Sequence, residues 1–552
     1  MFKKIFVALM LLLMLASSSL AFTPSQPVMP LLEIKPGMNG HMLTVIKGLD
    51  PEKLPVRILS VIPGKPFDMI LVKLMGKYKL AQGMSGSPVY VNNKLIGAVR
   101  SGWENSDQTL AMIIPIEAMC NTLKTHDANL LSYATVSGIK PSSLSRLSKT
   151  LGLNLSQGAL SSHNLEISSD KFKPGDAVAA LLVWGDVELS AVGTVTATST
   201  NGKFLAFGHE FLDRGQVNYP SARAFIHETI NSSEFPFKLA TPLYINGVIN
   251  QDREVAIAGQ AGIFPTFIPV ELRFKNLDTD KNHTYKFRVV ADEFLGAKLI
   301  EGIYSGLVSE AWGRKGQGTM SVNFRVDGRN IPNGWARSDI FYSDSNVIDV
   351  AFKDTVEMIS AYLTQPFTQI LPVGFTLTVE ATQAPKILRI EDVNTVSRAK
   401  PGEEIEISVT LRAWRTETIE RKFKLKIPDD ASGVSELIVR GGSEEPMPQT
   451  AINEGYKTID SLERLLTEFK AADSNNELIL ELNSDNLGNA LSKALSKKSG
   501  ANSTDDDLLP EEQEFLSETK SRRIEEGSLG IYSSEYFISG MMKRIIRIDT
   551  EK

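Results

Sequence analysis

The chain has 552 residues, 22% of them charged and 42% hydrophobic, with a net charge of -6. That length exceeds a single core and predicts two to four domains. The composition excludes a largely disordered chain or a membrane bundle, and without a long basic cluster nothing points to nucleic acid.

The first 21 residues read as a secretory signal. Lys3 and Lys4 precede an apolar run over 5–15, and Ser19-Leu20-Ala21 supplies the small residues of a cleavage site. The run is short for a span of about 20 residues, and no later stretch is apolar enough to cross a bilayer. The expectation is an exported protein, periplasmic or extracellular, with no transmembrane span once the signal is removed. Cys120 is the single cysteine, so it cannot form an internal disulfide, and Ala118, Met119 and Leu123 around it suggest a helix core position.

Residues 22–125 form the first β region. Short apolar runs over 42–46, 56–62 and 69–74 are broken by Gly and Pro, an even spacing that argues for a barrel or sandwich. Next comes Gln82-Gly83-Met84-Ser85-Gly86-Ser87-Pro88. Strands over 89–91 and 94–99 follow, joined at Asn92-Asn93, and then Arg100-Ser101-Gly102-Trp103. Residues 126–172 are rich in Ser and Asn and read as a connector packed on the outside. A second β region spans 173–383, with hairpin turns at Asn201-Gly202 and Asn246-Gly247 and a helix near 355–363. Over 384–440 the alternation of Ile405, Ile407, Val409 and Leu411 predicts a small immunoglobulin-like β module. Residues 441–552 are mixed: a helix over 459–469, a strand over 477–482, and an acidic linker over 497–513.

The chemistry-bearing stretch is the first glycine turn. Gly83 and Gly86 permit backbone that a side chain forbids, so the turn can lift Ser85 Oγ clear and aim its own N–H groups into one concavity. That is the layout of a nucleophile beside an oxyanion hole. Ser85 then needs a base. Of the six histidines, His126, His163 and His283 lie in polar segments, and His227 lies in a strand. His41 and His209 are left. His41 opens the strand over 42–46, and His209 sits where a strand over 204–207 ends at Gly208.

The serine stretch, the hairpin after it and Ser101-Gly102-Trp103 resemble the serine half of a chymotrypsin-like peptidase. Gln82 to Pro88 with Lys94 to Val99, and Phe204-Leu205-Ala206-Phe207-Gly208-His209 with Asp213, look like the serine and histidine motifs of the stage IV sporulation protein B peptidases. The resemblance covers roughly 31–125 and 173–275, and it favours His209 over His41. It implies a chymotrypsin-like two-barrel peptidase core; followed by the small β-sandwich-like module and the mixed C-terminal region, the expected chain is mainly β. Three departures stand out. The serine half precedes the histidine half, so the order is permuted. No acid follows the strand over 69–74, where Met75-Gly76-Lys77 stands. No PDZ-like domain is recognisable.

The resemblance implies a serine endopeptidase. Ser85 is the nucleophile and His209 the general base. Asp213 is the candidate acid, with Asp68 or no acid at all as the alternatives, and the N–H groups of Gly83 and Ser85 form the oxyanion hole. The implied substrate is a polypeptide, possibly the chain itself. No cofactor and no metal is required. Two rivals are a non-catalytic exported binding protein on the same scaffold and an esterase or acyl transferase using the same pair.

Overall fold

A computed structural model of the chain describes residues 22–103, 106–121, 133–158, 165–232, 236–368, 372–444, 459–484 and 516–549. The expected signal over 1–21 and the acidic linker over 497–513 lie outside the described residues. The fold is mainly β, and its contacts divide the chain into two units, Met1–Pro269 with Lys286–Ile303, and Val270–Tyr285 with Tyr304–Lys552.

The first unit opens with a closed antiparallel barrel of six strands: β1 (Asn39–Thr44), β2 (Glu52–Ile62), β3 (Met69–Leu74), β4 (Pro88–Val91), β5 (Lys94–Ser101) and β6 (Leu110–Pro115). Its order is β1-β2-β3-β6-β5-β4, closed by the pairing of β4 with β1. Alternation sets what points inward. Along β2, Leu54, Val56 and Ile58 are buried between exposed neighbours, and they meet Ile70, Val72, Val89 and Ile113 in one core. Asn92 and Asn93 both adopt positive φ, 50° and 60°, which closes the β4–β5 hairpin in two residues.

The same unit holds a second ring of six strands: Ala177–Gly185, Glu188–Thr198, Lys203–Ala206, Gly215–Ile230, Phe237–Arg253 and Ala256–Ala261. The first strand pairs with the second, the second with the third and the third with the sixth. The sixth pairs with the fifth, the fifth with the fourth, and the fourth returns to the first. Strand for strand, this is the order of the first barrel. Tyr90, Leu95, Ala98 and Ile114 on the outer face of the first barrel pack with Ala197, Leu205, Ala256 and Ala258 of the second. Buried on both faces, β4 has no polar side, and all four of its residues are inaccessible.

The connector over 126–172 is not merely external. Tyr133–Ser137 pairs with Glu188–Thr198, and Ala134 and Val136 are buried. The helix Gly296–Trp312 escapes a search for amphipathic period because its first unit portion buries Leu299, Ile300 and Ile303 together, leaving little polar stripe.

In the second unit, Gly318–Gly328, Ile331–Ser343 and Pro372–Thr382 form an antiparallel group, and Lys353–Thr364 is helical. Beyond it lies a β-sandwich of four- and five-stranded sheets. Its core joins Ile405, Ile407 and Val409 to Leu437, Leu480, Ile538 and Ile546. The strands after residue 440 therefore complete the module that the sequence places over 384–440. No helix among the described residues is long and apolar enough to cross a membrane.

Candidate active site

Ser85 and His209 occupy the same place in the two rings, the connection between the third strand and the fourth. In each, the chain turns through glycine with positive φ: Gly83 (88°) and Gly86 (85°) around Ser85, and Gly208 (70°) before His209. The two turns meet back to back. A Cβ on Gly86 would lie 2.1 Å from the carbonyl oxygen of Thr194, and one on Gly208 would lie 2.5 Å from that of Val99. Only glycine lets the chains approach this closely.

The serine turn is held by its carbonyls. Gln82 O accepts from the N–H of Lys238 at 3.0 Å and Met84 O from the N–H of Ser87 at 3.0 Å. Gly83 O accepts from Thr194 Oγ1 at 2.9 Å, Ser85 O from Thr194 N–H at 2.8 Å, and Gly86 O from Thr196 Oγ1 at 2.6 Å. A trans peptide points its N–H opposite to its C=O. Fixing Gln82 O and Met84 O therefore turns the N–H groups of Gly83 and Ser85 to the other side. Met84, Gly86 and Ser87 all donate within the protein, whereas the N–H groups of Gly83 and Ser85 have no acceptor among the described residues. Both residues line a cavity of about 450 Å³. Of the two serines, Ser85 is partly exposed there, and Ser87 is fully buried with its Oγ 3.4 Å from Thr194 Oγ1.

His209 lines the same cavity. Its Nδ1 bonds the carbonyl oxygen of Glu210. A carbonyl only accepts, so Nδ1 carries the proton and Nε2 keeps its lone pair. Burial pushes the imidazole down to about 4, helped by the nearby Arg100 charge and opposed by the bond to Glu210 O. The side chain is thus a neutral acceptor at ordinary pH. Its ring does not hydrogen-bond Ser85 in this structure; such bonds often close only on substrate binding.

The structure does not bring the expected acid to the imidazole. Nδ1 is taken by Glu210 O, and Asp213, at a left-handed position with φ 51°, does not line the cavity. Asp68 accepts from Gly64 N–H at 3.0 Å in its own loop and is likewise absent from the wall. His41 also stays apart, stacked on Tyr90 with ring centroids 5.3 Å apart.

Four residues that matter here carry no local signal. Asp252, fully buried at the end of a strand, accepts from the N–H groups of Phe211 at 2.7 Å and Leu212 at 2.8 Å, and so shapes the loop after His209. Arg100 donates to Glu254 O at 2.6 Å and stands 3.8 Å from the buried Glu210 carboxylate. Thr194 and Lys238 support the serine turn. Lys238 stands at an inward position of the Phe237–Arg253 strand, buried between half-buried neighbours.

Apart from Arg100 and Lys238 the wall is neutral, with Leu80, Val99, Leu110, Val192, Phe207 and Phe211 prominent; it also takes Ala134, Thr135 and Ser156 from the connector. Among the described residues no group of three His, Cys, Asp or Glu side chains could hold a metal ion. Set against protein-family models, curated proteins and solved structures, the chain finds no match in any of the three comparisons.

Proposed function

We propose that the chain is an exported serine endopeptidase, of the kind its motifs resemble, acting through Ser85 and His209. One observation carries the reading: a partly exposed serine and a neutral histidine line one cavity together with two N–H groups that have no acceptor among the described residues. In this mechanism Ser85 Oγ attacks the scissile carbonyl carbon while His209 Nε2 takes its proton. The developing oxyanion accepts from the N–H groups of Gly83 and Ser85. The tetrahedral intermediate collapses, the imidazolium gives its proton to the leaving amine, and the acyl group stays on Ser85. Water, deprotonated by the same nitrogen, then releases the acid. The carbonyl of Glu210 keeps the tautomer that a carboxylate keeps in a full triad. Being uncharged, it stabilises the imidazolium less, which predicts a slower enzyme than a triad of the same geometry.

That same bond favours a second reading, a binding protein that retains the scaffold without catalysis. A fluorophosphonate probe separates them. Under the first reading the full chain is labelled, Ser85→Ala abolishes labelling, and His209→Ala lowers the rate by about a hundredfold or more. His41→Ala leaves it unchanged. A folded wild-type chain that takes no label, or a Ser85→Ala chain that still does, rejects the peptidase.

A further inference from the structure

Lys238 is nine-tenths or more buried, at 4% exposure, and lines the cavity. Among the described residues its ammonium donates only to hydroxyls, Thr44 Oγ1 at 2.8 Å on the first barrel and Thr194 Oγ1 at 3.4 Å on the second. It forms no ion pair among the described residues, and burial alone pushes its amine down to about 7. A buried cation without a carboxylate is costly, and a methionine would fill the same channel. We propose that Lys238 is a positioning residue for the serine turn: its backbone N–H fixes the Gln82–Gly83 peptide, and its ammonium, through Thr194, fixes the Gly83–Met84 peptide that joins the two cleft-facing N–H groups.

Three contacts converge on the turn from this one residue. Its backbone N–H fixes Gln82 O. Its methylenes floor Gly83, where an added Cβ would come within 3.1 Å of Cδ. Its ammonium acts through Thr194. In its charged form the group can only donate, so Thr194 Oγ1 then accepts from it and sends its own proton elsewhere, to Gly83 O at 2.9 Å. Ser87 Oγ, 3.4 Å from Thr194 Oγ1, also donates to that hydroxyl. Remove the ammonium and the threonine hydroxyl is free to rotate toward other acceptors, releasing Gly83 O.

The inference rests on the peptidase reading for its purpose, but not for its test. Lys238→Met keeps the methylenes and the backbone bond and removes the donor; Thr194→Val breaks the relay and keeps the lysine. Both are made in the full chain. Two readouts are taken: amide hydrogen exchange over 82–87, and fluorophosphonate labelling resolved into the maximal rate and the probe's dissociation constant. The expected result is faster exchange of Met84, Gly86 and Ser87 in both variants. The maximal labelling rate falls at least about tenfold, with probe affinity within about twofold. The Tm of Lys238→Met stays at or above wild type, because an unpaired buried charge has gone. A residue that only supports the fold would lower Tm and leave the rate-to-affinity split unmoved. Unchanged exchange over 82–87 overturns the proposal. If Lys238→Met fails to fold, Thr194→Val decides on the same terms. If the wild type takes no label, the peptidase reading fails, and exchange alone still decides whether Lys238 holds the turn.

Discussion

The two barrels share a strand order and present Ser85 and His209 from the same connection, yet they hold them in different ways. The serine turn is gripped from the opposite barrel: Thr194 and Thr196 take three of its carbonyls, and the Lys238 strand takes a fourth. The histidine turn is held largely from its own barrel, by Asp252 on the loop behind it and Glu210 O on the ring, with Arg100 reaching across to Gly208 O at 3.5 Å. A turn clamped by five hydrogen bonds has one conformation to offer. A ring on a single backbone carbonyl is freer to adjust. On the proposed peptidase reading, pre-organisation is thus concentrated at the N–H groups of Gly83 and Ser85, where it would lower the barrier most.

Gly86→Ala breaks the comparison hardest, because it strikes where the two turns touch. The new Cβ meets the backbone of Thr194 and Phe207 at 2.1 and 2.4 Å, and φ is 85°. Backbone cannot swing away as a side chain can. The expected loss is about 2–5 kcal/mol in chemical denaturation, with labelling abolished. Gly76→Ala is the control: φ is 84° but nothing lies within 4 Å, so only the conformational cost of about 1 kcal/mol remains. Equal losses in the two variants would mean that the barrels do not press together at Gly86.

Asp252→Asn tests the histidine side. The amide keeps one acceptor oxygen and sets an NH2 against a backbone N–H that the carboxylate now receives. Leaving buried donors unsatisfied costs about 1–3 kcal/mol, and the loop over 211–214 should loosen. Hydrogen exchange at Phe211 and Leu212 should rise, and exchange over 82–87 should not. A change that spreads to the serine turn would show that the two supports are coupled, not separate.

How much of this was legible follows from how local each cause is. The first barrel could be read because its apolar runs alternate and its breaks are Gly, Pro and Asn-Asn, all short-range effects. The serine turn could be read because Gly83 and Gly86 flank Ser85 at a fixed spacing. The acid could not. Asp213 is near His209 in sequence, but the chain turns at Asp213 itself, and Nδ1 finds the next residue's carbonyl first. Asp252, Lys238 and Thr194 act from 40 to more than 100 residues away, through a register that only the folded sheet fixes. The connector failed for the same reason: its polar composition conceals Tyr133–Ser137, which docks on Glu188–Thr198, and Asn154–Gln157, which pairs beside it, and the two supply part of the cleft wall. In the second unit, strands after residue 440 complete a sandwich begun before it, across a gap that no local pattern spans.

The smallest expected effect is on pH dependence, and it sharpens the account of His209. Burial holds its imidazole near 4 in the folded chain, against about 6.5 when unfolded. Between those values the unfolded chain binds a proton that the native chain does not, and stability rises with pH wherever the unfolded state binds more protons. His209 therefore contributes a loss of stability as pH falls from about 6.5 toward 4, and nothing further below 4, where both states are protonated. His209→Gln removes that contribution, so the difference in Tm between variant and wild type should shift in the variant's favour as pH drops through this window and stay level above it. The labelling rate gives an independent reading of the same group. Only the neutral ring can accept the Ser85 proton, so the acid limb of the rate should fall near pH 4–5 and not at the 6.5 of a solvated histidine. A limb at 6.5 would place the ring in water during the reaction, and the one-carbonyl anchor would then be too loose to keep it buried.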